Sequence, residues 1–534
     1  MWAFGILGLL HFDITILTAL IPPLIIVIGI PNCIFLINKY QQEVKKHGNQ
    51  AKSLQRVITR VGNATLLTNL TTAVGFATFI VTDSDMLKEF GIVASLNIMI
   101  LFSLSLFIIP AVYSFLPIPK NKHLEHLNRT WMLNIIHWMA RIVRHKRVAV
   151  YGFSIVLLIL SIIGIYKIKT SSSLLDDIPK NAKFTKDVVY FEREFGGIMP
   201  LEIVIDTHKK NGILRLSNLE RMEKLQNRMT HFFKLSQPFS IVRIAKYFKQ
   251  TYYNGNQEYY LLPTRQEGRF LFSYAKDFNG KNFGALESFT DTLGQVARIT
   301  TYLTSDNVNR LDEIEKEINA EVEQLFPKER YDVIITGKAL NFFKGTRFLI
   351  DNVFTSLILA ILLISILMTY MFRSFRMVVI SVIPNLLPLI ITAGIMGFAG
   401  IPLKPSTVLV FGVAFGISVD DTLHFLAKYR QELRQNNWKI SRSVFSALKE
   451  TGFSMFYTSV VLYFGFSIFI LSSFGGTKAL GGLISTTLLF AMLSNLVLLP
   501  SLLLSLEKII ANKSTIRETS IDILAEDEDT VSKT

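Results

Sequence analysis

Nine stretches of this 534-residue chain are long and apolar enough to cross a bilayer, near 15–38, 63–82, 91–116, 148–167, 350–371, 377–399, 405–427, 453–472 and 479–505. About 20 apolar residues suffice to cover the ~30 Å of hydrocarbon. Inside lipid every backbone N–H and C=O must be satisfied by the protein itself, so runs of this length fold as helices. A tenth run, residues 1–10, is too short to cross. The net charge of +15 would suit a nucleic-acid binder, but the placement of the cations argues against one. Six Lys or Arg fall in 39–61, six in 428–450 and seven in 118–147, with Arg373 and Arg376 after the fifth span. This is the positive-inside bias, and it puts those four regions in the cytoplasm. The short turns 83–90, 400–404 and 473–478 fall on the opposite side, and the alternation is consistent over all nine spans. The single cysteine, Cys33, lies in an apolar run, so no disulfide is available. The N-terminus is apolar but has neither the basic start nor the small-residue cleavage site of a signal peptide.

The chain also repeats itself. Residues 5–43 can be laid on 394–432, with Gly5 and Gly8 on Gly394 and Gly397, and Lys39, Tyr40 and Glu43 on Lys428, Tyr429 and Glu432. After a one-residue adjustment Gly62, Gly75, Phe76, Gly91 and Pro110 fall on Gly452, Gly465, Phe466, Gly481 and Pro500. Repeated hydrophobic segments are the mark of a transporter built from two similar bundles. The expected organisation is a truncated first membrane bundle at 1–117 and a basic cytoplasmic connector at 118–147. The first span of the second repeat follows at 148–167, then an extracytoplasmic α+β domain at 168–349. A five-span second bundle occupies 350–507, and 508–534 form an acidic, solvated cytoplasmic tail. Copy one starts within what should be its third span, so the chain reads as a fragment that lacks two spans and a first soluble domain.

Within 168–349, alternation predicts strands at 201–205, 298–302 and 331–335, and helical spacing predicts helices at 217–235 and 308–325. Ser305, Asp306 and Asn307 are candidate caps for the second helix. The order at 298–335 suits a split βαβ unit.

The chemistry concentrates in one span, Gly416-Ile-Ser-Val-Asp420-Asp421. A carboxylate at such depth costs about 2.5–3.5 kcal/mol on insertion scales, so it persists where it is used. Two adjacent acids repel and burial penalises their charged forms, so at least one is expected to be protonated part of the time. His424, three and four positions on, shares their helical face and either relays protons or hydrogen-bonds one Asp. No Lys or Arg is expected within the neighbouring spans to neutralise the pair. The candidate partners are uncharged: Tyr457, Thr458, Ser459 and Tyr463 in the following span, and Asn32, Thr68 and Asn69 in the first copy. Pro31 and Asn32 stand where the second copy has its aspartates. Pro384 and Pro388 are expected to break helix hydrogen bonding inside a span, and Pro22-Pro23 to do the same in the first bundle. Ser441–Glu450 reads as an amphipathic helix along the inner surface, with residues 51–60 as its counterpart. Gly416, Gly452 and Gly465 are expected to allow close helix approach. No phosphate-cradling loop, metal-ligand cluster or catalytic triad is present, so an enzyme and a bound cofactor are not expected.

These features together resemble the resistance-nodulation-division superfamily of proton-driven exporters. They look closest to the MMPL branch and the hopanoid and lipid exporters, with Patched and Niemann-Pick sterol proteins more distant. The resemblance rests on Gly416-x-x-x-Asp420-Asp421, Pro384-Asn-Leu-Leu-Pro388, the duplicated six-span plan and the large loop after the first span of each half, and covers residues 1–507. It implies a polytopic α-helical membrane protein, a duplicated six-helix bundle with its first copy truncated and an extracytoplasmic α+β porter-like domain. It also implies a multi-pass protein of the inner membrane, exporting a hydrophobic or amphipathic, lipid-like molecule against inward proton flow. Protons would be the coupling ion at Asp420 and Asp421, and a second copy or a periplasmic protein a partner. In the drug exporters the paired acids sit in the first half and face a Lys; here they sit in the second half and Asn32 replaces one. That favours a single-bundle relay of the lipid-exporter kind. Alternatives are a non-transporting, sterol-sensing-like lipid-binding protein, a protein-secretion accessory subunit and an inactive exporter fragment.

Overall fold

The structure, a computed structural model, describes residues 2–15, 17–119, 130–169, 177–179, 181–231, 235–268, 288–304, 310–372 and 374–505. The tail 508–534, the cap candidates Ser305, Asp306 and Asn307, Arg373 and residues 120–129 of the connector lie outside the described residues. The chain divides into two compact units, Met1–Thr170 with Leu349–Thr534, and Ser171–Phe348. Among the described residues eight helices are long and apolar enough to span a bilayer.

The first unit opens with α1 (Trp2–Leu9), α2 (Ile21–His47), α3 (Gln50–Arg56), α4 (Gly62–Ala77), α5 (Asp85–Phe115), α6 (Thr130–His145) and α7 (Arg147–Ile165). Pro22 and Pro23 do not interrupt a span: they occupy the first turn of α2, where a missing N–H costs nothing. The ninth expected span, 63–82, is α4 prolonged by a 3₁₀ turn at Thr78–Val81, and its apolar helical stretch, Thr65–Val81, is shorter than the other eight. Residues 51–60 are not a separate surface helix. They pass from α3 through a π turn, Val57–Val61, directly into α4, because nothing at the junction breaks the backbone ladder.

In the second unit α8 (Lys183–Phe195) precedes β1 (Met199–Asp206), followed by α9 (Leu216–His231), α10 (Ile241–Tyr252), β2 (Val296–Leu303), α11 (Leu311–Leu325) and β3 (Asp332–Thr336). The sheet order is β2-β1-β3, with both neighbours antiparallel to β1. Ile203 is paired with Ile299 on one side and Ile335 on the other. Strand alternation sends Leu201, Ile203 and Ile205 to one face, where they are fully buried. Leu219, Met222, Leu225 and Met229 of α9 and Leu311, Ile314, Ile318 and Val322 of α11 join that core at helical spacing.

The first unit resumes within α12 (Lys338–Phe372) and continues through α13 (Phe375–Ala399), α14 (Pro405–Gln435), α15 (Ile440–Ser467), α16 (Gly475–Leu493) and α17 (Leu499–Ser505). Pro384 and Pro388 sit inside α13 and do not break it. Each removes one backbone donor, but the helix is clamped by α7, α14 and α16, and a shielded membrane helix tolerates such a loss. Ser441–Glu450 is the first part of α15 rather than a helix lying on the surface, for no breaker separates it from the rest of that helix. The cation-rich stretches are likewise mostly helical: α2 runs to His47 and α14 to Gln435, so Lys39 and Lys428 stand on helices and not in loops. The offset between the copies is visible in the elements. The 3₁₀ turns Thr78–Val81 and Ile468–Leu471 are 390 residues apart, as are the starts of α5 and α16, Asp85 and Gly475.

Candidate functional site: an acidic pair in the most enclosed helix

Helix α14 is the axis of the membrane unit. Its apolar window is 83% buried, against 11% for α7, which turns most of its surface outward. Helices α4, α13, α15 and α16 enclose it. Asp420 lies at the midpoint of Pro405–Gln435, so the acids stand at the centre of the helix. Carboxylates placed there face protein, because lipid could not solvate them.

The two acids have different surroundings. Asp421 Oδ2 accepts a hydrogen bond from Ser459 Oγ of α15 at 2.9 Å. Asp420 Oδ1 lies 3.3 Å from His424 Nε2, yet the alignment is too poor for a hydrogen bond, and this buried oxygen has no hydrogen-bond partner. The imidazole of His424 is held against Phe35 of α2, ring centres 4.5 Å apart. Both aspartates and His424 line a cavity of about 60 Å³, with Asn32 and Lys39 of α2 and Thr458 of α15 on its other walls.

The expected partners separate into three groups. Ser459 bonds the acid directly, and Asn32 and Thr458 share its cavity. Thr458 Oγ1 donates to Ser454 O of its own helix at 3.0 Å. Thr68 and Asn69 are buried in α4 and do not line the cavity, Thr68 Oγ1 donating to Thr65 O at 3.1 Å. Tyr457 is 39% exposed and stacks on Phe453, and Tyr463 packs edge-on against Phe464; neither ring lines the cavity.

Asn32 and Asn69 form a pair of their own. Asn32 Nδ2 donates to Asn69 Oδ1 at 2.7 Å, and Asn69 Nδ2 returns a bond to Asn32 Oδ1 at 3.3 Å. By the repeat Asn32 corresponds to Asp421 and Asn69 to Ser459. The same inter-helix contact is therefore made by two amides in the first half and by a carboxylate and a hydroxyl in the second.

Two features escape sequence reasoning. The apolar runs hold no Lys or Arg, yet Lys39 and Lys428, one residue beyond two of those runs, line the cavity, because the helices carry them past the ends of the apolar runs. Their equivalence under the repeat was the available signal. The second is a buried polar network around Asn385, the residue between the two prolines. Its Oδ1 accepts from Ser418 Oγ at 2.7 Å, and its Nδ2 donates to Thr422 Oγ1 at 2.9 Å. Thr422 Oγ1 also donates to Asn495 Oδ1 at 2.8 Å. Ser418 and Thr422 flank the acids on α14, so this network fixes the rotation of that helix and with it the direction of both carboxylates.

The glycines divide as well. A Cβ on Gly465 would come within 2.8 Å of Val27 Cγ1 of α2, and one on Gly75 within 3.3 Å of Gly416 Cα, so α15 and α14 do approach the first half closely. A Cβ on Gly452, or on Gly416 itself, would meet neighbours only at 3.7 Å, an ordinary contact, so neither residue is required for close approach. The tightest helix contact is α7 against α13, where Gly164, Gly394 and Gly397 meet backbone to backbone.

Two comparisons bear on this arrangement. The profile of the MMPL family matches residues 1–145 and 273–519. The chain is similar to "Putative membrane protein MJ1562" of Methanocaldococcus jannaschii, 28% identical over 155 residues, which are 29% of this chain and 39% of that protein. The aligned part thus spans well under two thirds of that relative's length.

Proposed function

The chain belongs to the MMPL family of the resistance-nodulation-division superfamily, a multi-pass membrane family of transporters rather than enzymes, and from that premise we propose a proton-driven exporter of hydrophobic or amphipathic, lipid-like molecules. The observation that carries this reading is the acidic pair at the centre of the most enclosed helix, beside a small cavity and an orphaned carboxylate oxygen. A charge held there in low dielectric is costly, and protonation removes that cost. Asp421 in its charged form is served by one hydroxyl, and Asp420 Oδ1 by none. Gain of a proton therefore relaxes the demand that α14 makes on α15, and loss restores it. Cycling between the two forms shifts α14 against the neutral Asn32–Asn69 pair, and the shift is the stroke that moves substrate. The coupling ion is the proton, and no cofactor is needed.

In this reading the protein lies in the cytoplasmic (inner) membrane with 168–349 outside the cytoplasm and its C-terminus inside. The duplication of the six-helix plan and the porter role of the second unit belong to the same proposal. Asp421→Asn keeps the hydrogen bond to Ser459 but fixes the neutral form. In inverted vesicles, uptake of a fluorescent lipid analogue under an imposed proton gradient should fall to the level seen with an uncoupler, with insertion unchanged. Uptake that persists in Asp421→Asn, or that ignores the uncoupler, would exclude the relay; lipid bound by the wild type with no gradient-dependent uptake at all would favour a lipid-binding protein that does not transport.

A further inference from the structure

The cavity continues beyond the aspartates. Along α14 the titratable side chains follow at four-residue steps, Asp420, His424, Lys428 and Glu432, which one face of a helix presents as a column. Lys428 Nζ lies 3.0 Å from Glu432 Oε1 on its own helix and 2.5 Å from Glu450 Oε2 on α15. The side chains of Lys428 and Glu432 are each 12% exposed, whereas that of Glu450 is 42% exposed. Glu450 therefore lines the same cavity as the acidic pair and also opens to the surface. The charged groups facing it are Lys428 from α14 and Lys39 from α2, with Glu432 behind Lys428. Glu432 is a poorer outlet, for it is enclosed and also accepts a bond from Asn436 Nδ2.

Resting on the relay reading above, we propose that Glu450 is the outlet of the proton path and that its ion pair with Lys428 is the latch that keeps the outlet shut. The volume of about 60 Å³ holds a short file of waters, since one needs about 10–15 Å³ by the same measure. A proton leaves Asp420 as its O–H bond breaks and a cavity water takes it; that water gives up a proton to form an N–H bond at His424 Nε2, which lies 3.3 Å from Asp420 Oδ1 but is too poorly aligned for direct transfer. The imidazolium passes that proton to water in the cavity, Glu450 takes it from the water, and bulk solvent takes it from Glu450. Each transfer breaks one bond to hydrogen as it makes another, and no oxidant or reductant takes part. Protonation of Glu450 cancels its pull on Lys428, which stays paired with Glu432 of its own helix, so arrival of the proton itself releases the latch between α14 and α15. An ion pair that merely ties α14 to α15 would show none of this.

The test uses the full chain in sealed vesicles and an upward pH jump applied from each side in turn. The signal is the infrared carbonyl stretch of the protonated aspartates, assigned by its loss in Asp420→Asn and in Asp421→Asn. Decay of that band should be at least about tenfold slower in Glu450→Gln for the jump on the side of the α14–α15 turn, and nearly unchanged for the other side. Glu450→Asp should restore the rate, and Lys428→Met, which removes the latch but leaves the acid, should quicken it. Wild-type decay in Glu450→Gln from both sides overturns the outlet while the relay stands. Absence of any band sensitive to Asp420→Asn or Asp421→Asn overturns the relay itself.

Discussion

Asn385 shows how a residue without charge can decide the geometry of an acidic site. It bonds both Ser418 and Thr422, the positions on either side of the aspartates, and its own Nδ2 also reaches Ser381 O at 2.8 Å. Asn385→Leu would strand the buried Ser418 hydroxyl, at a cost of about 1–3 kcal/mol, and leave Thr422 only its bond to Asn495. The expected outcome is a lower unfolding temperature in detergent and lost transport with both aspartates intact; thermal melts beside the vesicle assay measure it. The acids themselves were plain in the sequence, because charge in an apolar run has few explanations. Lys39 and Lys428 were not, since an apolar run ends where its composition changes and the helix ends some turns later. Asn385 was hidden for another reason: prolines on both sides suggested irregular backbone, and an amide in a loop has no fixed partner.

At the scale of the element, the order of the membrane spans was legible from run length alone, while helix continuity was not. Pro22-Pro23 could open a helix or interrupt one, and only the start of α2 at Ile21 decides between them. Contacts between helices were the least legible, because a glycine has the same appearance whether it meets side chains at ordinary distance or another backbone. Gly394 and Gly452 separate the two cases. A Cβ on Gly394 would lie 2.5 Å from Ser161 Cα of α7, and one on Gly452 no nearer than 3.7 Å to anything. Gly394→Val should push α7 away from α13 and destabilise the bundle by about 1–3 kcal/mol. Gly452→Ala should be tolerated, with an unfolding midpoint close to wild type. Equal losses in the two variants would contradict the packing described here.

At the scale of the whole molecule the two units obey different chemistry, and acid distinguishes them. In the second unit Glu267 accepts bonds from Lys249 Nζ at 3.0 Å, Tyr253 Oη at 2.9 Å and Thr264 N at 2.8 Å. Burial pushes its carboxyl up, but these bonds outweigh burial and bring it down to about 2, below the ordinary 4.5. A depressed value in the folded state means that stability is fully present above about 4.5 and is lost as pH falls toward 2. Hydrogen exchange at α10 should therefore quicken through that window in the wild type, and Glu267→Gln should flatten the dependence. The strands of this unit were legible from alternation, and the order β2-β1-β3 agrees with the split βαβ pattern. Helices α8 and α10 were missed, because each is short and its apolar residues are mixed with Lys and Arg.

The amide pair of the first half has a consequence for the proposed engine. Asn32 and Asn69 cannot ionise, so voltage and acidity act on one piston of a two-cylinder machine while the other serves as a fixed bearing. Such a machine has a single power stroke per revolution, and it can carry no more protons in each turn than its two aspartates hold.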